Sequence, residues 1–552
     1  MSSIASSRWA KWLALVLFAV LWFGTAGYRK LISPDEGRYA EIAREMVVSG
    51  DWLTPRLNGV KYFEKPALQY WATATSFEVL GESEFAARLW PTLTGFLGVL
   101  ALFYTARRLY RKEPDGEAIA WGAAALLGSC AWWIGNGHFL TLDMGVSAFL
   151  TFALCGFLWA QQDSATAREN RNGMLAAWAA MALAVLSKGL IGLIIPGAIL
   201  VVYTLWTRDW RLWTRLHLGK GLLLFFAISA PWFVLVSKAN PEFAHFFFIH
   251  EHFERFLTTE HNRTGGWYYF IPILIAGFLP WTALLPGVFI QGWQKDVRHN
   301  FQINRFLLVW AAFVFLFFSK SGSKLPSYIL PMFPALALLG AQLLPRLGKK
   351  TSWALVGTML VFGLALLIAV PWISSQAGES GPPAEEAAYG VWLIATGVAL
   401  LLTGGIAAWL QWKERRFAMI ATLVVGGLFV GQIPMLGHNV YAGRKSAAAL
   451  AQAVTPQLKP NSTLYVLRSY DQTLPFYLKR KLQFVEYVDE FDLGQKVEPD
   501  KLIDLDTFLQ RWRDEAAPVA VVSTPMYDDL KARGLIMQIL YSDPGRAVVA
   551  KP

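Results

Sequence analysis

Residues 352–374 read SWALVGTMLVFGLALLIAVPWIS, 23 residues without a single charge. As a helix at 1.5 Å per residue this stretch is roughly 35 Å long, enough to cross the hydrocarbon core of a bilayer. Working outward, comparable apolar runs recur at 12–28, 87–107, 117–136, 143–162, 174–187, 190–207, 219–237, 267–292, 304–319, 326–345, 388–411 and 417–437. The sequence therefore predicts an α-helical polytopic membrane protein with about thirteen transmembrane helices, the 174–187 span being the shortest. Composition agrees: 55% of residues are hydrophobic and 16% charged, where a soluble domain carries about 25% charged. Cys130 and Cys155 lie inside apolar runs without CxxC spacing, which argues against a disulfide framework or zinc knuckle. The N-terminal run is too long, and lacks the small-residue cleavage site, to read as a removable signal peptide.

Orientation follows from Lys and Arg in short loops. With Arg8 and Lys11 cytoplasmic, the bases of 107–112, 208–220, 295–305 and 413–416 all fall on the same side, and the external loop 375–387 holds three Glu and no base. An odd number of spans then places the C-terminal part outside. The net charge of +11 belongs almost wholly to the membrane part, which suits anionic lipids or phosphates; nucleic-acid signatures are absent. From about residue 440 the apolar runs shrink to strand length (464–467, 482–485, 519–522, 547–550) and alternate with helical patterns at 507–515 and 526–533. This predicts a small soluble α/β domain, drawn as 439–552, beside a membrane domain 1–438. The tail contains no catalytic motif, so lid, docking and stabilising roles are all open to it.

The first external loop, 29–86, is too long for a plain connector and is drawn as the catalytic part of the membrane domain. It contains SPDEGRYAEIAREM (33–46) and KYFEKPALQYW (61–71). Ser33 is placed to cap a helix that opens with Pro34, Asp35 and Glu36. Tyr39, Ile42, Ala43, Met46 and Val47 recur at helical spacing, as do Leu68, Trp71, Ala72 and Phe77 after Pro66. Both segments read as amphipathic juxtamembrane helices with the apolar face toward lipid.

Their polar junctions hold Asp35, Glu36 and Arg38, then Tyr62, Glu64 and Lys65. Asp35 can simply complement a helix dipole, and Arg38 and Lys65 can snorkel toward headgroups. Yet the loop carries Arg29, Lys30, Arg38, Arg44, Arg56, Lys61 and Lys65 against the insertion rule, and SKSGSKLPSY (319–328) adds Lys320 and Lys324. External positive charge of this density calls for an anionic ligand, most obviously a phosphate.

Segment 239–266 holds His245, His250, His252 and His261, half of the eight histidines, without HExxH spacing. If a divalent ion such as zinc or magnesium binds, Glu64 and His245 are its expected ligands, with His252 in reserve and Lewis-acid help at a phosphate as its role. No cofactor is otherwise called for. Asp143, in GHFLTLDMG (137–145), is a carboxylate either at membrane depth, where it implies a function, or at a helix start above the interface, where it caps.

PDEGRYAEIAREM, YFEKPALQYW, TLDMG, FFFIHEHFERF and KLPSYILPMFPALALL together resemble the GT-C superfamily of membrane glycosyltransferases, closest to its branch of bacterial transferases that move 4-amino-4-deoxy-L-arabinose to lipid A. The resemblance implies the GT-C fold and a lipid-linked pentosyltransferase. Its donor would be undecaprenyl phosphate-linked aminoarabinose and its acceptor a lipid A phosphate, on the periplasmic side of the bacterial inner membrane, giving polymyxin and cationic-peptide resistance. It places the loop-one acid at Asp35 and a second acid at Asp143 as catalytic residues. Arg38, Lys65, Arg255 and Lys324 would hold the donor phosphate, and Glu36, Tyr62 and Tyr328 would line the substrate. The competing expectations are a polyprenyl-phosphate glycosyltransferase with a protein or cell-wall acceptor and, from another class, a lipid flippase or transporter. The latter draws on Ser187-Lys188-Gly189 as a broken helix.

Overall fold

The structure, a computed structural model, describes residues 8–249, 265–297, 299–375 and 383–552. By internal contacts the chain forms two compact units, one of 1–26 with 90–437 and one of 27–89 with 438–552.

The first unit is a multi-pass helical membrane body. Among the described residues, seven helices are long and apolar enough to cross a bilayer, and up to nine if two bent pairs count as single spans. All thirteen predicted stretches are helical, but three of them, Lys11–Phe23, Ile191–Thr207 and Pro326–Ala341, are shorter apolar helices. The largest departure is at 267–292, predicted as one span: the helices Phe270–Gly277 and Thr282–Trp293 turn by 110°. Apolar composition reports the environment of a segment and is silent about its direction. The 174–187 run is the apolar half of a longer helix, Ala167–Lys188, which begins on a reciprocal cap between Thr166 and Glu169.

Several helices in this unit turn apolar side chains outward. Val361, Leu364 and Ile368 are more than half exposed on Lys349–Ser375, with Trp353 and Trp372 exposed near its two ends. Aliphatic residues between terminal tryptophans are what a lipid-facing helix presents. Inside, Leu142–Gln161 and Ala167–Lys188 run antiparallel through a short turn. A Cβ on Gly156 would come within 2.9 Å of the Gly173 carbonyl oxygen, and the reverse also holds, so these two glycines let the backbones touch.

The second unit joins loop one to the C-terminal residues, whereas the sequence reading attached 29–86 to the membrane domain. Its strands in chain order are β1 Arg56–Leu57 and β2 Val60–Lys61, a small hairpin, then β3 Leu464–Leu467, β4 Gln483–Val485, β5 Leu502–Ile503, β6 Val519–Ser523, β7 Gln538–Ser542 and β8 Arg546–Ala550, and the last six form a mixed sheet of order β5-β4-β3-β6-β8-β7. Strands β3 to β6 pair in parallel, and β8 runs antiparallel to both β6 and β7. The helices Leu505–Asp514 and Thr524–Ala532 supply Phe508, Trp512, Met526 and Leu530 to the core on the sheet.

Loop one forms the Asp35–Ser49 helix, a two-residue hairpin and the Leu68–Leu80 helix. The hairpin turns on Asn58 and Gly59, both at positive φ, as a tight turn between twisted strands requires. Asn58 exchanges two hydrogen bonds with the backbone of Leu482, at 2.8 and 2.7 Å. The Asp35–Ser49 helix is buried well beyond the apolar stripe predicted for it: Glu36, Glu41, Arg44 and Glu45 are enclosed along with Tyr39, Ile42 and Met46. A Cβ on Gly37 would lie 2.5 Å from the backbone of Gln472 and Thr473, which shows how closely the two parts pack. Ser33, expected to cap this helix, does not; Pro34 occupies the cap position, and the Ser33 hydroxyl donates to Gln472 Oε1 at 2.5 Å.

Candidate active site

The candidate residues fall into two sets, one in each unit. In the second unit the first turn of the Asp35–Ser49 helix presents Asp35, nearly half exposed, with Arg38 one turn on. Arg38 Nη1 donates to Asp35 Oδ1 at 3.1 Å, and its Nη2 lies 2.7 Å from Glu490 Oε2. The guanidinium stands 5.8 Å from the centre of the Tyr62 ring. Burial works against the charge on Arg38, but Tyr62, Glu490 and Glu64 together hold its pKa well above the ordinary value, so it is a permanent cation. Burial and the nearby Glu64 carboxylate push the Tyr62 phenol far up, and it acts as a neutral donor to Glu490 Oε2 at 3.3 Å. Lys65 Nζ donates to the Glu64 carbonyl at 2.8 Å and lies 3.8 Å from its carboxylate.

Glu36 does not belong to this surface. Its carboxylate accepts Arg88 Nε at 2.7 Å and Nη2 at 2.8 Å, has Arg29 at 3.7 Å, and is 2% exposed. The expectation that Glu36 lines the substrate is therefore corrected: two buried arginines and a carboxylate make an internal charge cluster.

In the first unit Asp143 sits in the first turn of Leu142–Gln161 and is met by two residues. Lys188 Nζ donates to Oδ1 and Ser327 Oγ to Oδ2, the latter at 2.9 Å, and Lys188 Nζ stands 4.9 Å from the centre of the Tyr328 ring. Lys324 Nζ, buried, donates to the Ser321 carbonyl at 2.7 Å. The structure thus brings Asp143 and Tyr328 together as candidates and adds Lys188, which sequence reasoning had noticed only as a helix break. That break is the ordinary end of Ala167–Lys188 at Gly189, and it delivers the ammonium to Asp143. A cavity of about 990 Å³ lined by Gln162, Asp163, Glu169 and Arg346 opens at the far ends of these two helices. It lies roughly 30 Å along the helix from Asp143 and is a different place.

Arg255 and the reserve ligand His252 lie outside the described residues. His245 is exposed on the short Phe243–His245 helix. Glu64 and His245 belong to different units, and among the described residues no three His, Cys, Asp or Glu side chains converge. The described donors are short of the three protein ligands a catalytic zinc uses.

The chain matches two family models: the aminoarabinose transferase C-terminal domain over residues 450–551, and dolichyl-phosphate-mannose-protein mannosyltransferase over 9–247. An undecaprenyl phosphate-α-4-amino-4-deoxy-L-arabinose arabinosyl transferase of Edwardsiella ictaluri is 32% identical over 475 residues, covering 83% of this chain and 82% of its own. The chain belongs to that arabinosyl transferase family. Another member, from Pseudomonas fluorescens Pf0-1, is 31% identical over 94% of this chain and 93% of its own. Among solved structures, ArnT from Cupriavidus metallidurans bound to undecaprenyl phosphate superposes with a TM-score of 0.93 at 37% identity, covering 99% of both chains. An archaeal oligosaccharyltransferase, AglB from Archaeoglobus fulgidus, shares the fold alone, at a TM-score of 0.52 and 12% identity over 94% of this chain and 70% of its own.

Proposed function

We propose that the protein transfers 4-amino-4-deoxy-L-arabinose from undecaprenyl phosphate to a phosphate of lipid A, at the periplasmic face of a bacterial inner membrane. The observation that carries this reading is the whole-chain match to ArnT bound to undecaprenyl phosphate, together with an exposed carboxylate held beside a buried cation in loop one. Outside the cytoplasm no nucleotide sugars exist, so the activated sugar is lipid-linked and its phosphate is the leaving group. Arg38 and Lys65 would stabilise the charge that develops on that phosphate as the glycosidic bond breaks. A lipid A phosphate is largely ionised near neutral pH, by analogy with phosphomonoesters whose second pKa is about 6, and needs little help from a base. Asp35 then positions the reactants and steadies positive charge at the anomeric carbon. A single in-line displacement inverts that centre. Asp143, held by Lys188 and Ser327, is the second carboxylate of the reading.

Masking lipid A phosphates with aminoarabinose would weaken binding of polymyxin and cationic peptides. The main reading is tested by incubating purified protein with undecaprenyl phosphate-aminoarabinose and lipid A. A gain of one aminoarabinose on lipid A by mass spectrometry is expected, whereas movement of lipid without any covalent gain would favour a flippase.

A further inference from the structure

Arg38 is gripped from the C-terminal residues of its own unit. Glu490 Oε2 takes Arg38 Nη2 at 2.7 Å and the Tyr62 hydroxyl at 3.3 Å, while Oε1 takes the Gln472 amide at 2.7 Å. Gln472 in turn accepts the Ser33 hydroxyl, two residues ahead of Asp35. The Glu490 side chain is only 6% exposed, so it offers little surface to a ligand of its own; these contacts run to residues that shape loop one. Arg38, by contrast, keeps about one-seventh of its side chain exposed, beside the half-exposed Asp35, while Nη1 and Nη2 are engaged by Asp35 and Glu490. Pinning a planar fork at two of its three nitrogens fixes which part of it faces a ligand.

We propose that Glu490 is a positioning residue for transfer: it fixes the Arg38 guanidinium so that its exposed part meets an oxygen of the donor phosphate. This rests on the reading of Arg38 as a donor-phosphate ligand. It gives the C-terminal domain a part in the reaction without placing any of its atoms on the substrate. Mere attachment is served elsewhere, by Arg56 Nη1 at 3.0 Å from both oxygens of Glu498, a pair that involves none of the candidate residues.

The test uses the full-length protein in lipid nanodiscs with undecaprenyl phosphate-aminoarabinose and lipid A. Transfer kinetics and Tm are compared for wild type, Glu490→Gln, Glu490→Asp, Glu498→Gln, Arg38→Ala and the Arg38→Ala/Glu490→Gln double variant. Glu490→Gln is expected to lower kcat/KM for the donor roughly tenfold or more, with the KM for lipid A and the Tm little changed. Glu490→Asp, which keeps the charge on a shorter arm, recovers part of the loss and carries the comparison should the Gln variant fail to fold. Glu498→Gln lowers Tm and leaves kcat/KM alone. Because the effect passes through Arg38, Glu490→Gln adds no further loss in the Arg38→Ala background. An equal further loss in that background, or wild-type kinetics in Glu490→Gln while Arg38→Ala is impaired, overturns the positioning role alone. Unimpaired transfer by Arg38→Ala overturns the underlying reading of Arg38 and the positioning role with it.

Discussion

Lys188, the last residue of its helix, donates its ammonium to Asp143, in the first turn of the antiparallel helix beside it. Both side chains are about one-seventh exposed, so each would be an uncompensated charge in a poorly hydrated place without the other. Lys188→Met alone is therefore expected to destabilise the first unit by on the order of 3 kcal/mol, seen as a lower Tm in detergent. Adding Asp143→Asn should return most of that Tm while transfer stays low, because the second carboxylate is then missing. A double variant that recovers activity together with Tm would make the pair purely structural.

Much of this was legible one residue at a time and little of it pair by pair. The β3 strand Leu464–Leu467 lies where the sequence placed it, and Asp35, Arg38 and Asp143 are declared by helix-start patterns and by charge in an unexpected place. Lys188 reads locally as a helix end, and its partner is 45 residues away. Glu490 is 452 residues from Arg38, in a stretch of ordinary charged residues, and no local pattern connects the two. Two further features do have local signals. Asn58-Gly59 marks a hairpin, and Gly277 followed by Pro280 marks the corner inside 267–292.

Gly37 gives a prediction about how loop one is held. A methyl group there would sit 2.5 Å from the Gln472–Thr473 backbone, and backbone cannot step aside as a flexible side chain can. Gly37→Ala should destabilise the second unit by about 1–3 kcal/mol, lowering Tm and speeding proteolysis near residue 438. An unchanged Tm and cleavage pattern would contradict the close packing.

A pH dependence follows from Glu41 and Glu45, both buried and one helical turn apart, where burial and the neighbouring carboxylate favour a retained proton. Burial pushes the Glu41 carboxyl from the usual 4.5 to about 8, despite its fork with Arg44 at 2.7 Å. Between those two values the folded unit keeps a proton that the unfolded chain has released, so stability falls as pH rises through the window. Tm measured from pH 5 to 8 should decline, and Glu41→Gln should flatten that decline. A Tm that rises with pH over this range would show that the pair is fully ionised in the folded protein.

Asp35, the exposed carboxylate beside the anchored Arg38, is the central residue of the proposed transfer. Its direct test is Asp35→Asn, assayed by mass spectrometry for transfer of aminoarabinose to lipid A, with undecaprenyl phosphate binding and Tm measured on the same preparation. No mass gain on lipid A is expected, with lipid binding and Tm close to wild type. Sustained turnover by the Asn variant would remove Asp35 from the reaction.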